Sequence, residues 1–186
     1  MFTEIERKYG TPRELNMSFL MNLKEFDMLK ASTKDGRNSD VTIFIFKEDI
    51  VVVIAMPWYP KGLYRAPSGG IKPDEDIAHT ANREAYEETG AKIKLLKYLL
   101  RIQVMFVCNQ EKIEWNSHVF TARYVSGKLQ PIDTKEIKEV ALMSLEELSS
   151  LKPRLLAQDS GGLAYHAALT EVAIAEILSA KQTRGL

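Results

Sequence analysis

Between Pro57 and Pro73 the chain places four prolines and three glycines in seventeen residues. Proline lacks a backbone N–H and holds φ near roughly −65°, so neither a helix nor a central strand fits there. The flanks are regular. Val41-Thr42-Ile43-Phe44-Ile45-Phe46 and the run from Ile50 to Met56 are rich in β-branched and aromatic residues. Lys47-Glu48-Asp49 separates them, which is the pattern of a β-hairpin. Beyond Pro73 a helix is predicted from about Asp76 to Thr89, stopped by Gly90, with Asp74, Glu75 and Asp76 where a helix N-terminus favours negative charge. A hairpin is therefore joined to a helix by a long irregular connection, and connections of that kind often carry function.

The remainder alternates between the two periodicities. Strands are predicted at Leu95–Leu100, Gln103–Cys108 and Glu114–Val125, then a charged loop from Asp133 to Glu139 and a short strand Val140–Met143. Ser144-Leu145-Glu146-Glu147 is a capping box that opens a short helix. A last helix follows Ser160-Gly161-Gly162 and runs to about Lys181, with Leu163, Ala167, Val172, Ile174, Ile177 and Leu178 mostly inward. Near the start, Leu20, Leu23, Phe26 and Leu29 recur at helical spacing, Met17, Met21 and Met28 read as helix packing, and the stretch from Ser32 to Asp40 is loop-like. Residues 1–40 are thus read as an N-terminal extension packed on a domain spanning 41–186. Mixed strands and helices imply the α/β class, an α/β/α sandwich around a mixed β-sheet.

With 186 residues, 45% of them apolar, the chain suits one globular domain with a sizeable core. Lys plus Arg and Asp plus Glu are both 25, and zero net charge argues against a dedicated nucleic-acid binder while permitting a nucleotide-sized anion. A single cysteine, Cys108, excludes an intramolecular disulfide and a cysteine-based zinc cluster. The start from Met1 to Lys8 has no long apolar run, and the longest apolar stretch, Ile50 to Pro57, is far short of the roughly 20 residues that span a bilayer. The expectation is a cytoplasmic protein with no membrane partner.

The helix after the proline-glycine segment carries its charges in an unfavourable place. Glu84, Glu87 and Glu88 fall within one arc of about 100°. Glu84 and Glu88 are i,i+4 neighbours of like charge, at a cost of roughly 0.2–0.5 kcal/mol. All three lie near the C-terminus, where the helix dipole disfavours an anion by roughly 0.3–1 kcal/mol. Only Arg83 and Lys92 offer local relief. Ala78, Ala81 and Ala85 form an adjoining small-residue stripe that lets the helix lie close to a sheet. Carboxylates fixed on one turn are hard oxygen ligands of the kind Mg²⁺ or Mn²⁺ prefers. Taken alone, the arrangement fits a solvated acidic face equally well.

The spacing decides between them. Gly69, five residues, Glu75, seven residues, then Arg83-Glu84-Ala85-Tyr86-Glu87-Glu88-Thr89-Gly90-Ala91 resembles the Nudix box at every defined position. The aliphatic positions hold the small Ala85 and Ala91, and Pro67-Ser68-Gly69-Gly70 stands where the family often has Pro-Gly-Gly. Similarity to the Nudix hydrolases implies a Nudix-type α/β/α sandwich. It implies a metal-dependent enzyme that cleaves the pyrophosphate linkage of a nucleoside diphosphate joined to another group, by attack of an activated water. By the same match Glu84, Glu87 and Glu88 bind Mg²⁺, or Mn²⁺ in its place, with a nearby backbone carbonyl such as that of Gly69. Glu87 or Glu88 doubles as the base, and Arg83 and Glu75 form a supporting ion pair. Some members draw the base from a later loop, where Glu136 and Glu139 are the candidates.

Arg65 and Tyr64, in the segment feeding the box, are candidates to grip phosphate and stack on a base, though Trp58, Tyr59 and Tyr64 equally suit pinning the loop to the body. The Ser160-Gly161-Gly162 turn suits a helix cap more than an anion site. His79 is expected to be exposed, and His118, His166 and Cys108 to be structural. The expected partner is a small nucleoside diphosphate derivative. The stretch Val107-Cys108-Asn109 lacks the markers of the ADP-ribose and dinucleoside polyphosphate subgroups. A nucleotide-binding module without turnover, a diphosphate isomerase and an RNA 5′-end hydrolase using a patch of Lys24, Lys30, Lys34 and Arg37 are the alternatives. A homodimer through the N-terminal segment or last helix is left open.

Overall fold

The computed structural model describes residues 3–183. Its elements in chain order are α1 (Glu4–Tyr9), β1 (Arg13–Leu20), α2 (Leu23–Ser32), β2 (Ser39–Lys47), β3 (Ile50–Ala55), β4 (Ser68–Gly70), α3 (Ile77–Thr89), β5 (Lys92–Cys108), β6 (Glu111–Ser126), β7 (Glu139–Met143), α4 (Leu145–Ser150), α5 (Lys152–Leu156) and α6 (Gly161–Thr183). One mixed sheet runs in the order β1-β5-β6-β2-β3-β7, with β4 paired to β2 off that path. The β1–β5 and β2–β6 pairings are parallel and the others antiparallel. Alternate strand residues feed two cores. Phe44, Leu100, Ile102 and Val119 pack with Tyr165, Leu169, Ala173 and Ile177 of α6, whereas Val41, Ile43, Ile45, Phe120 and Ala122 pack with Ala81 and Ala85 of α3. That is the expected α/β/α sandwich, its two faces set by the period-2 alternation of the strands.

Three local readings change. The segment before residue 40 contributes β1, the edge strand next to β5, and Leu20 ends that strand rather than starting a helix. The signal was the alternation Leu15, Met17, Phe19, all of which pack on the α6-side core; Met17 is therefore a strand residue, and Met28 on α2 is 62% exposed. The two strands expected at 95–100 and 103–108 are one seventeen-residue strand, β5, whose hairpin with β6 absorbs the irregularity at register shifts. Helix α6 is long and apolar enough, by length and composition alone, to cross a membrane, which a search for unbroken apolar runs passes over. Here its inward face covers the sheet, while Leu178 turns outward at 47% exposure. Its N-terminus is capped from within: Ser160 Oγ and the Gly161 N–H donate to the carboxylate of Glu25 on α2.

The geometry that matters most is a split in the sheet. Strand β2 meets β3 only at Ile45–Lys47, and at its other end, Asp40–Thr42, it meets β4 instead. The proline-glycine segment fills the opening. Arg65 exchanges both backbone hydrogen bonds with Ile54 at 2.8 and 3.0 Å, and the Ile43 N–H reaches Pro67 O at 2.9 Å. The segment is a loop with one three-residue strand, as its composition requires, and it is fixed by backbone bonds on both sides.

Helix α1 is tied down by charge. Arg101 of β5 bonds Glu6 at 2.7 Å and Glu14 at 2.8 Å, and its Nε donates to the Tyr98 hydroxyl at 3.3 Å. Tyr98 stacks on Phe120 and hydrogen-bonds His118 Nδ1. Burial, and then the charge of Arg101, pushes the His118 imidazole down to about 4. The unfolded chain then binds a proton that the folded chain refuses. This contribution to stability is intact above pH 6.5 and is lost as pH falls from there toward 4, by about 3 kcal/mol at roughly 1.36 kcal/mol per pKa unit. Denaturant titrations from pH 7 to pH 4 should show that share of the slope missing in H118Q. An unchanged difference between variant and wild type across that range would disprove it.

Candidate active site

Helix α3 is built as its sequence specifies. The Asp76 carboxylate caps the N-terminus by accepting from the His79 N–H at 2.8 Å, and Gly90 ends the helix at φ +70°, donating to Tyr86 O. Ala81 and Ala85 are fully buried against the sheet, so the helix sits close and its acidic turn meets the loop that fills the split. The carbonyls at its C-terminus are also satisfied: the N–H groups of Ile132 and Asp133 donate to Glu87 O at 3.0 and 2.9 Å, and Gln130 N–H to Thr89 O at 3.1 Å. These bonds soften the dipole penalty on the glutamates. They also fasten the loop that carries Glu136 to the acidic turn.

Arg83 is the organising cation. Its Nε and Nη2 grip Glu75 in a two-point bond at 2.6 and 2.7 Å, its Nη1 donates to Glu84 at 2.6 Å and Glu87 at 2.9 Å, and Nη2 also reaches Gly70 O at 3.3 Å. The bond from Arg83 holds the Glu75 carboxyl down at about 2. The Arg83–Glu75 contact expected from the sequence is thus present, and the same guanidinium spans two of the three acidic residues of the turn.

The glutamates differ in surroundings. Glu87 is half exposed, with a side-chain accessibility of 46%. Glu84 is mostly buried, and burial raises its carboxyl above the usual range. Glu88 is buried to 4% and turns toward the loop rather than along the helix to Lys92. It accepts from the Ser68 N–H at 2.7 Å and faces Arg65 Nη2 at 3.6 Å. Burial outweighs both contacts and pushes its carboxyl up to about 8. Gly69 lies against Glu84 so closely that a Cβ there would overlap the carboxylate. Gly69→Ala should therefore displace Glu84 while sparing the buried core. We expect a loss of activity of roughly 10–100-fold with a small change in melting temperature. A variant with full activity would show that Glu84 need not sit on this glycine.

The remaining candidates lie around this cluster. Arg65 is 7% exposed, and its guanidinium is engaged by Ala66 O at 3.0 Å, Ser68 Oγ at 2.6 Å, Met56 Sδ at 3.4 Å and Glu88. It is placed as a counter-ion to Glu88, not as an open grip for phosphate. Tyr64 donates its hydroxyl to Glu139 at 2.9 Å. Glu139 is the first residue of β7, opposite Ala55, rather than a loop residue. Glu136 is exposed on the loop, which Ile137 anchors in the core, and its charge bears on both Glu84 and Glu88. Trp58 is exposed at 66%, and Tyr59 is buried beside Arg65. Sequence reasoning missed the Ser68 N–H as a partner of Glu88; the inserted serine in Pro67-Ser68-Gly69-Gly70 was the available signal.

Among the described residues no three carboxylate or imidazole groups converge tightly enough to hold an ion without rearrangement. The donor set nevertheless fits a hard divalent cation. Glu84, Glu87 and Glu88 supply carboxyl oxygens on neighbouring positions of one helix, two of the three are desolvated, and the glycine at 69 leaves Glu84 room at the backbone.

Comparison with known proteins agrees with this geometry. The sequence model of the NUDIX domain matches residues 36–164. MutT4 of Mycobacterium tuberculosis is 35% identical over 88 residues, covering 47% of this chain and 35% of that protein. The NAD-capped RNA hydrolase NudC of Photobacterium profundum is 25% identical over 114 residues, 61% of this chain and 40% of the relative. The chain spans less than half the length of these curated relatives. A NUDIX hydrolase structure from Nitrosomonas europaea superposes with a TM-score of 0.53 at 20% identity, covering 77% of this chain and 90% of the other, which shows a shared fold. From the matched domain, the box and the fold together, this chain belongs to the Nudix family.

Proposed function

We propose that this chain is a pyrophosphohydrolase that uses a divalent cation, Mg²⁺ first and Mn²⁺ in its place, to cleave a nucleoside diphosphate joined to another group. One observation carries the reading: three carboxyl groups, Glu84, Glu87 and Glu88, share the C-terminal half of one helix against a glycine backbone, and Arg83 ties Glu84 and Glu87 to Glu75 of the preceding loop. A pyrophosphate brings still more negative charge, so such a site binds it only when cations intervene. Glu84, Glu87 and Glu88, with the Gly69 carbonyl, would hold the metal, which supplies neutralisation of phosphate oxygens and a more acidic bound water.

The chain's own residues do the positioning. Arg83 and Glu75 lock the loop carrying Gly69 and Gly70 to the helix, and rigidity there matters in phosphoryl chemistry, which depends on orientation and charge stabilisation. Ser68 and Arg65 hold Glu88. Glu136, exposed and fastened to the helix end by its loop, is the preferred acceptor for the proton of the attacking water. Glu139 is the second candidate, its carboxylate already engaged by Tyr64. The name of the NudC relative supports a substrate in which a nucleotide is linked through pyrophosphate, and a small compound of that class is the expected ligand.

The test is turnover of ADP-ribose, nucleotide sugars, dinucleoside polyphosphates, NADH and nucleoside triphosphates in Mg²⁺ and then Mn²⁺, with Glu87→Gln as control. One compound cleaved by the wild type and not by the variant supports the reading. No turnover by a protein that still binds the cation would favour a nucleotide-binding module instead.

A further inference from the structure

Two arginines at the acidic turn are committed before any substrate arrives. Arg83 serves Glu75, Glu84 and Glu87, and Arg65 serves Ala66 O, Ser68 Oγ and Glu88. A third arginine reaches the same loop from another direction. Arg37 follows Gly36, whose φ of +78° closes the short turn Thr33–Asp35, and it stands just before β2. The backbone after it is pinned on two sides. Asn38 O accepts from the Asn116 N–H of β6 at 2.9 Å, and Ser39 O accepts from the Ile71 N–H, just past β4, at 3.0 Å.

From there the Arg37 side chain lies along Gly70. Its Cδ and Nε are 2.6 and 2.9 Å from where a Gly70 Cβ would stand, so glycine is what leaves it room. Successive residues of a strand face opposite ways. Gly69, paired with Val41, turns its bare backbone to Glu84, and Gly70, paired with Asp40, turns its own to Arg37. Two adjacent glycines thus let a carboxylate and a guanidinium approach one short strand from its two sides. Gly70 O also accepts from Arg83, which ties that strand to the acidic turn. Among the described residues the Arg37 guanidinium has no hydrogen-bond or ion-pair partner, although the residue is half-buried. Lys30, expected to share a basic patch with it, is instead paired with Glu111 at the start of β6. A long cationic side chain held partly out of water with no partner loses free energy that packing on one glycine does not restore.

We propose that Arg37 is a phosphate-binding residue of this site, its guanidinium taking a phosphate group of the substrate beside the Gly69–Gly70 strand. The inference rests on the reading above for the substrate's class. The planar fork of a guanidinium matches two oxygens of one phosphate, and Arg65, enclosed with its own partners, does not offer one. The acidic helix answers the phosphate oxygens only through a cation, whereas Arg37 answers them directly. A strut over Gly70 would need length but no charge.

The experiment measures binding of inorganic pyrophosphate in Mg²⁺ by calorimetry on the full chain, with kcat and KM on the best substrate. Wild type is compared with Arg37→Gln, Arg37→Met and Arg37→Lys. Both uncharged variants should weaken pyrophosphate binding about tenfold and raise KM by a similar factor, far more than they lower kcat. Arg37→Lys keeps the charge without the fork and should fall between them and wild type. Added salt should weaken binding more steeply in wild type than in Arg37→Met. The two uncharged side chains differ in shape, so a failure of one to fold leaves the other to decide. Wild-type affinity and KM in either folded uncharged variant would make Arg37 a strut and overturn the inference. A loss confined to kcat would overturn it as well. A wild type that binds pyrophosphate yet turns over nothing would defeat the hydrolytic reading and leave Arg37 judged on pyrophosphate alone. A wild type that binds no pyrophosphate would defeat the inference, whatever it hydrolyses.

Discussion

Glu88→Gln should lower turnover by on the order of 10³-fold while stabilising the metal-free protein. The two effects have opposite signs because they come from the same feature. Glu88 is buried to 4%, with one backbone N–H at 2.7 Å and a distant guanidinium as its compensation. Taking a carboxylate out of water costs several kcal/mol, and here the loss outweighs what Ser68 and Arg65 return, as the rise of its carboxyl to about 8 shows. Glutamine has the same shape, still accepts from Ser68, and carries no charge to desolvate. Urea unfolding at neutral pH in a chelator should show a gain of roughly 1–3 kcal/mol. A variant that hydrolyses at the wild-type rate, or that unfolds earlier than wild type, would remove Glu88 from the site.

Arg83→Met should have the opposite consequence for stability. The guanidinium serves Glu75, Glu84 and Glu87 together, and removing it leaves three carboxylates without the cation they share. Breaking a mostly buried pair in this way costs about 3–5 kcal/mol, chiefly through the uncompensated partners left behind. The urea midpoint should fall with an unchanged slope, and activity should fall with it. Added Mg²⁺ or Mn²⁺ should restore more stability to the variant than to the wild type, since the cation is then the remaining positive charge that binds the folded state. Equal stabilisation of both proteins by the metal would show that these carboxylates are not its cradle.

Much of the fold was legible because it is local. The turn-rich segment, the hairpin before it and the capped helix after it each follow from a few adjacent residues whose φ preferences and missing N–H groups act within one or two turns. Strand β1 was not, because Leu20 prolongs the stripe of Leu23, Phe26 and Leu29 in α2, and Leu15, Met17 and Phe19 find their partner only in β5, far along the chain. The break expected inside β5 is missing for a similar reason: its partner β6 is nearly as long and carries the strand through Arg101 and Ile102.

At the candidate site the division is sharper. Helical geometry placed Glu84, Glu87 and Glu88 on one face, and the resemblance of Gly69 to Ala91 to the Nudix box implied the pairing of Arg83 with Glu75. What each glutamate experiences was decided elsewhere in the chain. The split between β2 and β3 buries Arg65 and turns it from an expected phosphate grip into the counter-ion of Glu88. The loop bonded to the end of α3 brings the charge of Glu136 to bear on the cluster. The sequence determined which groups are present and in what local order, since backbone preferences act over a few residues. Only the tertiary structure decided their burial and partners, because desolvation and charge pairing depend on what distant segments bring into contact.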